Sequence, residues 1–165
     1  DVCSSDLEIK QDGYYVDSCT IETDLEIFIP DTYVSDIVER LKLYKRLDSI
    51  EEDSETEKLK SELTDRFGKI PKQTEELFEV VKLKRLAKKL AIEKLFIKRG
   101  KMIAYFITDK ESEFFQGDDF GKIIHYVQCY PQQCILQESN ERLTLPVSTI
   151  KDINSAVLTL QNMIK

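Results

Sequence analysis

The sequence has few of the residues on which most catalytic and metal sites depend. It contains one histidine, His125, which lies between two apolar or aromatic residues in a helical pattern, where a structural role is the ordinary one. None of the cysteines is in a C-x-x-C pair or at metal-ligand spacing from His125. These shortages argue against a zinc site and against a nucleophile–histidine–acid triad. We therefore predict no catalytic residue, no metal and no cofactor. The four cysteines are Cys3, Cys19, Cys129 and Cys134.

Long apolar runs are also missing. No stretch of about 18 consecutive apolar residues exists, so the sequence predicts no transmembrane helix and no membrane partner. The first residues do not resemble a secretory signal, so the cytoplasm is the expected compartment, where the cysteines are expected to be free thiols. Because residue 1 is Asp and not Met, we expect the chain to be a fragment of a longer protein.

Charge is abundant and unevenly distributed. Hydrophobic residues make up 41% of the chain and charged residues 33%, a mix typical of a globular domain. Residues 1–57 hold 17 acids and 5 bases (net −12), whereas residues 58–165 hold 14 acids and 19 bases (net +5). The total of −7 argues against non-specific nucleic-acid binding by the whole surface but leaves room for a local basic patch.

The periodicity of apolar residues predicts an α+β fold. The order β, ααα, ββ, α, ββ, α indicates helices packed on a largely antiparallel sheet in a single compact domain, with an N-terminal β segment at 1–30 and the main domain at 31–165. The predicted strands are 7–10, 14–16, 19–29, 92–97, 102–107, 134–137 and 142–147, and the predicted helices start near 31, 54, 71, 118 and 150.

The first predicted helix is apolar on two sides. Asp31 or Thr32 is the predicted cap. A helix with two apolar sides is expected to be sandwiched between neighbours or covered by a partner. One side is Val34, Ile37, Val38, Leu41 and Tyr44, and the other is Leu43 and Leu47.

Residues 59–71 combine a helix end, a turn and a helix start. Gly68 suits the positive-φ backbone just past a helix, and Pro71 suits the first turn of the next one. Spacing alone favours a surface helix with an i,i+4 Glu62–Arg66 pair, worth about 0.3–0.5 kcal/mol. The apolar stripe of this helix is Leu59, Leu63 and Phe67, and the polar face beside it is Glu62, Asp65 and Arg66.

Other charged or glycine-containing stretches give weaker signals. Residues 82–101 carry nine bases and one acid, but they lack interleaved exposed aromatic residues, so a solvated face or a dock for an acidic protein is favoured over nucleic-acid binding. The acidic run at 51–57 is typical of a loop and helix cap, and residues 117–122 are one residue short of a phosphate-binding loop. The basic patch left open for nucleic acid is Lys82, Arg85, Lys88 and Lys89.

Four motifs occur in the order seen in one known family. On these motifs, which cover about residues 19–106, the chain resembles the C-terminal domain of the bacterial transcription-repair coupling factors, the Mfd or TRCF family. Residues 1–18 then correspond to the end of the connection from upstream motor domains. The motifs are Ile29-Pro30-Asp31-x-Tyr33-Val34, Arg40-Leu41-x-x-Tyr44-Lys45-Arg46, Glu62-Leu63-x-Asp65-Arg66-Phe67-Gly68-x-x-Pro71 and Ala91-Ile92-x-Lys94-Leu95.

The resemblance implies a non-enzymatic, autoinhibitory module in transcription-coupled nucleotide excision repair. In that family the parent protein is an ATP-dependent DNA translocase, and its C-terminal domain docks on the UvrB-like N-terminal module of the same chain, masks the UvrA-binding surface and restrains the motor. The docking contacts of the family fall on Glu62, Asp65 and Arg66. UvrA, RNA polymerase and DNA are then partners reached through the parent. The alternative is an accessory nucleic-acid-binding module using the basic patch at 82–101, and a small enzyme acting through acidic residues has no motif in support.

Overall fold

The computed structural model describes residues 15–16 and 18–165, so the predicted hairpin strand at 7–10 and the start of that at 14–16 lie outside the described residues. Within them the chain forms five helices and five strands, with a short 3-10 helix at Glu113–Gln116. The element order is the predicted one, and the α+β class is confirmed. The elements are β1 (Thr20–Thr23), α1 (Ile37–Asp48), α2 (Asp53–Phe67), α3 (Lys72–Lys89), β2 (Ile92–Lys98), β3 (Lys101–Phe106), α4 (Asp118–Cys129), β4 (Gln137–Ser139), β5 (Arg142–Ser148) and α5 (Ile153–Met163).

Residue contacts divide the chain into two compact units. The helical unit is Glu26–Lys82, and the sheet unit contains the described residues up to Leu25 together with Leu83–Lys165. The boundary at Lys82 falls inside α3. The predicted limits of 1–30 and 31–165 stay a prediction.

The sheet unit holds the five described strands in the order β1-β2-β3-β5-β4. β1 runs parallel to β2, and the other three pairings are antiparallel, so the sheet is largely antiparallel as predicted. The β2–β3 turn has φ +54° at Arg99 and +76° at Gly100, and the β4–β5 turn has φ +52° at Asn140 and +61° at Glu141. Positive φ at both central residues is the geometry of two-residue hairpins that match strand twist. The predicted strand at 134–137 is shifted, because Cys134 makes only an isolated bridge to Val147.

One face of the sheet forms the core of the sheet unit. Phe106 of β3 packs against Phe120 of α4 with ring centroids 6.3 Å apart, so α4 covers this face. Ile123 of α4 and Leu160 of α5 are fully buried. The alternate strand residues on this face are at most 2% exposed: Leu95, Ile97, Met102, Ala104, Phe106, Leu145 and Val147.

The helical unit has its own apolar core, in which Phe78 of α3 is fully buried. The predicted stripe of α2 is largely confirmed, since Leu59 and Leu63 are buried and Phe67 is half-buried against the same cluster. The other buried members are Ile29, Val34, Leu43, Leu47, Ile50, Ile70 and Val81.

The predicted strand at 19–29 is wrong beyond Thr23, where β1 ends. The alternation of apolar residues continues, but side chains of the helices take the backbone groups that a strand would pair. The Ile29 amide donates to the Tyr44 hydroxyl at 2.8 Å, and the Thr74 hydroxyl donates to the Phe28 carbonyl at 3.2 Å. The segment is therefore held by tertiary hydrogen bonds instead of a sheet ladder.

The predicted start of the first helix is also wrong. Asp31 and Thr32 lie in a turn closed by hydrogen bonds from the amides of Tyr33 and Val34 to the Pro30 carbonyl. α1 begins at Ile37, because Asp36 is the cap: its Oδ1 accepts from the Val38 amide at 2.8 Å.

For α2, the prediction is correct at the C-terminal end and wrong for the capping residues at the N-terminal end. The sequence suggests a capping box of Ser54 and Glu57, but the structure uses Glu55, whose Oε2 accepts from the Glu52 amide at 3.2 Å. At the other end Gly68 has φ +88° and ψ −161°, a region that essentially only glycine occupies. Pro71 lies just before α3, and its carbonyl accepts from the Glu75 amide at 2.9 Å.

Two glycines provide a matched test of this backbone geometry. No heavy atom outside the local backbone lies within 4 Å of a Cβ added at Gly68 or at Gly121, so both positions have room for a methyl group. The two glycines differ in that Gly68 has a positive φ. Gly68→Ala is expected to lower the free energy of unfolding by about 1–3 kcal/mol. Gly121→Ala, inside α4, is expected to raise it by about 0.5–1 kcal/mol. Urea unfolding followed by circular dichroism measures both, and equal effects would contradict the assigned turn geometry.

Candidate docking surface

The predicted polar face of α2 forms a charged network with α1. The Arg46 guanidinium donates to Glu62 Oε2 at 2.7 Å. Arg66 lies 3.7 Å from Glu62 Oε1, the predicted i,i+4 pair, and 3.5 Å from Glu39 Oε1. Along the exposed boundary between the two helices, the four side chains follow in the order Glu39, Arg66, Glu62 and Arg46, so acidic and basic groups alternate. We call Glu39, Arg46, Glu62 and Arg66 the charged seam.

Sequence reasoning found the α2 half of the charged seam and missed the α1 half. Glu39 and Arg46 are seven residues apart, so they lie on one side of α1. Arg46 also closes one of the motifs that carry the family resemblance. The heptad spacing was the available signal, but the pairing itself joins residues 16 positions apart in the chain, Arg46 and Glu62, which periodicity cannot reveal.

The charged seam is accessible to solvent. The side chains of Arg46, Glu62, Arg66 and Glu39 are 49%, 38%, 41% and 31% exposed. The hydrogen bond from Arg46 holds the pKa of Glu62 below its usual range; burial opposes this shift, and the charges of Arg46 and Arg66 add to it. The same hydrogen bond raises the pKa of Arg46. Exposed pairs contribute little stability, about 0–1 kcal/mol, so the seam is not what holds the unit together.

Asp65, the third predicted docking residue, is exposed and lies outside the charged seam. Asp65 follows Glu62 by three residues, so its side chain is on the adjacent face of α2, further from α1 than that of Glu62. Among residues 15–16 and 18–165, no partner makes a hydrogen bond or ion pair with its carboxylate. The structure therefore joins Glu62 and Arg66 and leaves Asp65 open beside them.

One apolar side of α1 is exposed. Leu43 and Leu47 are buried in the helical core, whereas Ile37, Val38 and Leu41 are 61%, 55% and 57% exposed. Of the predicted side, Val34 and Tyr44 pack in the helical core, so the expected sandwiching between neighbours fails only for Ile37, Val38 and Leu41. We call Ile37, Val38 and Leu41 the apolar patch. Single exposed apolar residues are common, but an adjacent group of them is typical of an interaction site.

The predicted basic patch lies on α3 and is only partly exposed. Lys89 is exposed, whereas Lys82, Arg85 and Lys88 are half-buried. Arg85 Nε is shielded from solvent, and Arg85 and Lys88 both interact with neighbouring groups. The geometry thus gives this patch less free positive charge than the sequence suggests, and its role stays a prediction.

His125 lies on the exposed side of α4, with its Nε2 3.6 Å from the Sγ of Cys129. Both line a surface cavity of about 630 Å³ in the sheet unit. Among the residues that the structure describes, no group of three or more His, Cys, Asp or Glu side chains could hold a metal ion. In that same part of the chain no helix has the length and apolar content needed to cross a membrane.

Comparison with known proteins decides the family. A family model described as the TRCF domain matches residues 23–116, more than half of the chain. The chain belongs to the TRCF domain family. The resemblance inferred from the four motifs is confirmed, and the candidate docking surface on α1 and α2 lies inside the matched residues.

Relatives of the TRCF domain chain include transcription-repair-coupling factors of several bacteria. The Rickettsia bellii protein is 36% identical over 122 residues, covering 74% of this chain and 10% of the relative. The Bacillus subtilis protein is 30% identical over 130 residues, covering 78% and 11%. The chain therefore spans about a tenth of the length of the curated relatives it matches.

A solved structure has the same fold. The crystal structure of the C-terminal domain of a transcription-repair coupling factor aligns with a TM-score of 0.69 over 88% of this chain and 92% of that chain. Because sequence identity in that alignment is 20%, the likeness establishes the fold of the TRCF domain and nothing finer.

The hydrogen bond at the centre of the charged seam can be tested by titration. Because the pKa of Glu62 is lowered in the folded chain, its stabilising contribution is present above the ordinary pKa of 4.5 and is lost as pH falls through the folded value. In an NMR titration, Arg46→Gln is expected to raise the pKa of Glu62 more than Arg66→Gln does, since Arg46 donates the hydrogen bond. The opposite order would contradict the seam geometry.

Proposed function

We propose that this TRCF domain is a non-catalytic autoinhibitory module acting in transcription-coupled nucleotide excision repair. It docks on the UvrB-like N-terminal module of its parent chain, masks the surface that binds UvrA, and restrains the parent DNA translocase. The supporting observation is the exposed charged seam with the open carboxylate of Asp65 beside it, within the family-matched residues. In this proposal, the contacts with UvrA, RNA polymerase and DNA belong to the parent protein, and the domain works in the cytoplasm.

The charged seam suits a dock that must open again. Each of its side chains already has a partner of opposite sign, so the four groups are held in defined positions before docking. A partner can exchange these pairs for charge-assisted hydrogen bonds of its own with little net change in free energy. Release then needs only a coupling free energy on the order of 1–3 kcal/mol, which a second ligand can supply.

Asp65 supplies a carboxylate without an ion-pair partner in the described residues, and the apolar patch supplies apolar surface; the charged seam has neither. Asp65 offers a carboxylate that can accept from a basic side chain of the partner without first breaking an ion pair in the described residues. Ile37 and Leu41 offer apolar surface that docking removes from water, at about 25 cal/mol per Å². A reversible protein interface usually combines apolar side chains with polar ones. The complementary surface is therefore expected to carry both apolar and basic side chains.

Charge reversal at Asp65 tests the docking proposal. Asp65→Lys in the full-length parent is expected to leave the domain folded, because Asp65 is exposed, and to loosen the dock by placing a cation against a basic surface. UvrA affinity and basal ATPase should both rise, UvrA affinity by about 5-fold or more. Glu57→Lys, an exposed residue near the other end of α2, is the matched control and should change neither. Unchanged values for Asp65→Lys in a folded protein would overturn the proposal.

Substitutions of two leucines in α1 test docking and folding separately. Leu41 is 57% exposed and Leu43 is 2% exposed, although they are two residues apart. Leu41→Ser is expected to change the free energy of unfolding by less than about 0.5 kcal/mol and to increase UvrA binding by the parent protein. Leu43→Ala is expected to cost about 2–5 kcal/mol of stability. If Leu41→Ser left UvrA binding unaltered, the apolar patch would have no part in the dock.

A further inference from the structure

The outward face of the sheet, which docking does not use, carries aromatic rings between lysines. β2 alternates, so Lys94, Phe96 and Lys98 lie on the side opposite the buried Leu95 and Ile97. In the antiparallel register Tyr105 of β3 is opposite Lys94. The two rings and their basic neighbours therefore come from adjacent strands of one face.

The geometry of this face is well defined. The Phe96 and Tyr105 rings are edge-to-face with centroids 5.4 Å apart, and both residues are half-buried. Lys94 Nζ and Lys98 Nζ lie 4.6 and 5.4 Å from the centroid of the Phe96 ring. Glu22 of β1 lies 3.2 and 4.0 Å from the same two ammonium groups. Lys101, the exposed first residue of β3, is opposite Lys98 in the register. We call Lys94, Phe96, Lys98, Lys101 and Tyr105 the aromatic–lysine face.

We propose that the aromatic–lysine face binds single-stranded nucleic acid, with bases stacking on the two rings and phosphates contacting the lysines. Proteins that bind single strands without sequence preference combine these two features, because every base has a π-face and every nucleotide a phosphate. A sheet face does not enter a duplex groove, whereas unstacked bases can lie flat on it. The occupant is therefore a single strand and not a duplex.

The local charge favours this occupant. Residues 94–101 contain four bases and no acid. The described residues of the sheet unit hold 13 bases and 11 acids (net +2), whereas the helical unit holds 10 bases and 15 acids (net −5). The net charge of the whole chain thus does not describe this face. Each acid near it already has a partner: Glu93 pairs with Arg142, Asp24 accepts from the Arg99 amide, and Glu22 contacts Lys94 and Lys98.

In the proposed site, the carboxylate of Glu22 occupies the position of a phosphate. Its exposed carboxylate contacts Lys94 and Lys98, the two ammonium groups that a phosphate would contact. Docking of a strand must displace this carboxylate, so its removal strengthens binding. The sequence argues against nucleic-acid binding because it places no exposed aromatic residue among these bases; in the structure, strand alternation puts the half-buried Phe96 between the two lysines.

The test is fluorescence anisotropy of a labelled oligo-dT of about 15 nucleotides, long enough to cover one binding face, with the 165-residue chain at several salt concentrations. Three lysine–phosphate contacts predict a slope of log K against log salt of about −2. A duplex of equal length should bind at least about 10-fold more weakly. No single-strand binding at low salt, or equal binding of the duplex, would overturn the proposal.

Substitutions assign the binding to this face. Phe96→Leu keeps the position apolar and is expected to weaken binding roughly 10-fold, whereas Glu22→Gln should tighten it. Lys122→Gln, on the helix that covers the other side of the sheet, is the control and should leave binding unchanged. Asp65→Lys should also leave it unchanged, so failure here and failure of the docking proposal are separate results. Wild-type affinity in a folded Phe96→Leu variant would contradict stacking on this ring.

Discussion

The proposed docking surface depends on one contact, the 2.7 Å hydrogen bond between Arg46 and Glu62. It joins α1 to α2 on the solvent side, while leucines of both helices pack together on the core side. Once Glu62 is held, Arg66 is placed between Glu62 and Glu39, with its guanidinium 4.8 Å from the Phe67 ring centroid. An exposed arginine would otherwise sample many rotamers, so these contacts reduce the conformational entropy that docking must remove.

The division between charge and apolar surface explains how such a dock can be specific and still reversible. Buried apolar area supplies affinity without direction, and paired charges supply direction with little net free energy. The apolar patch is small, three side chains of one helix, so the affinity it adds is limited. In the proposed dock, the charged seam is expected to reject partners that lack the opposite pattern, because a displaced and unpaired charge costs more than the pair contributes.

Local sequence patterns predicted most elements of this fold, and tertiary contacts explain the failures. The β2–β3 hairpin follows from alternation and turn residues, and the stripe of α2 follows from 3.6-residue periodicity. Residues 24–29 alternate as a strand should, yet Tyr44 and Thr74 bind their backbone groups. α1 is apolar on two sides, so periodicity could not decide that Leu43 is buried and Leu41 exposed. Pairings between distant residues, such as Arg46 with Glu62, leave no periodic trace.

The two proposed surfaces differ in charge, and this difference predicts how they respond to salt. The aromatic–lysine face belongs to a unit of net +2, and a polyanion bound there releases condensed counterions, so its affinity falls steeply with salt. The docking surface belongs to a unit of net −5 and combines apolar contacts with short-range ion pairs, which added salt screens only in part. A partner that satisfies one surface lacks the chemistry for the other. Rising salt should therefore release a single strand well before it opens the dock.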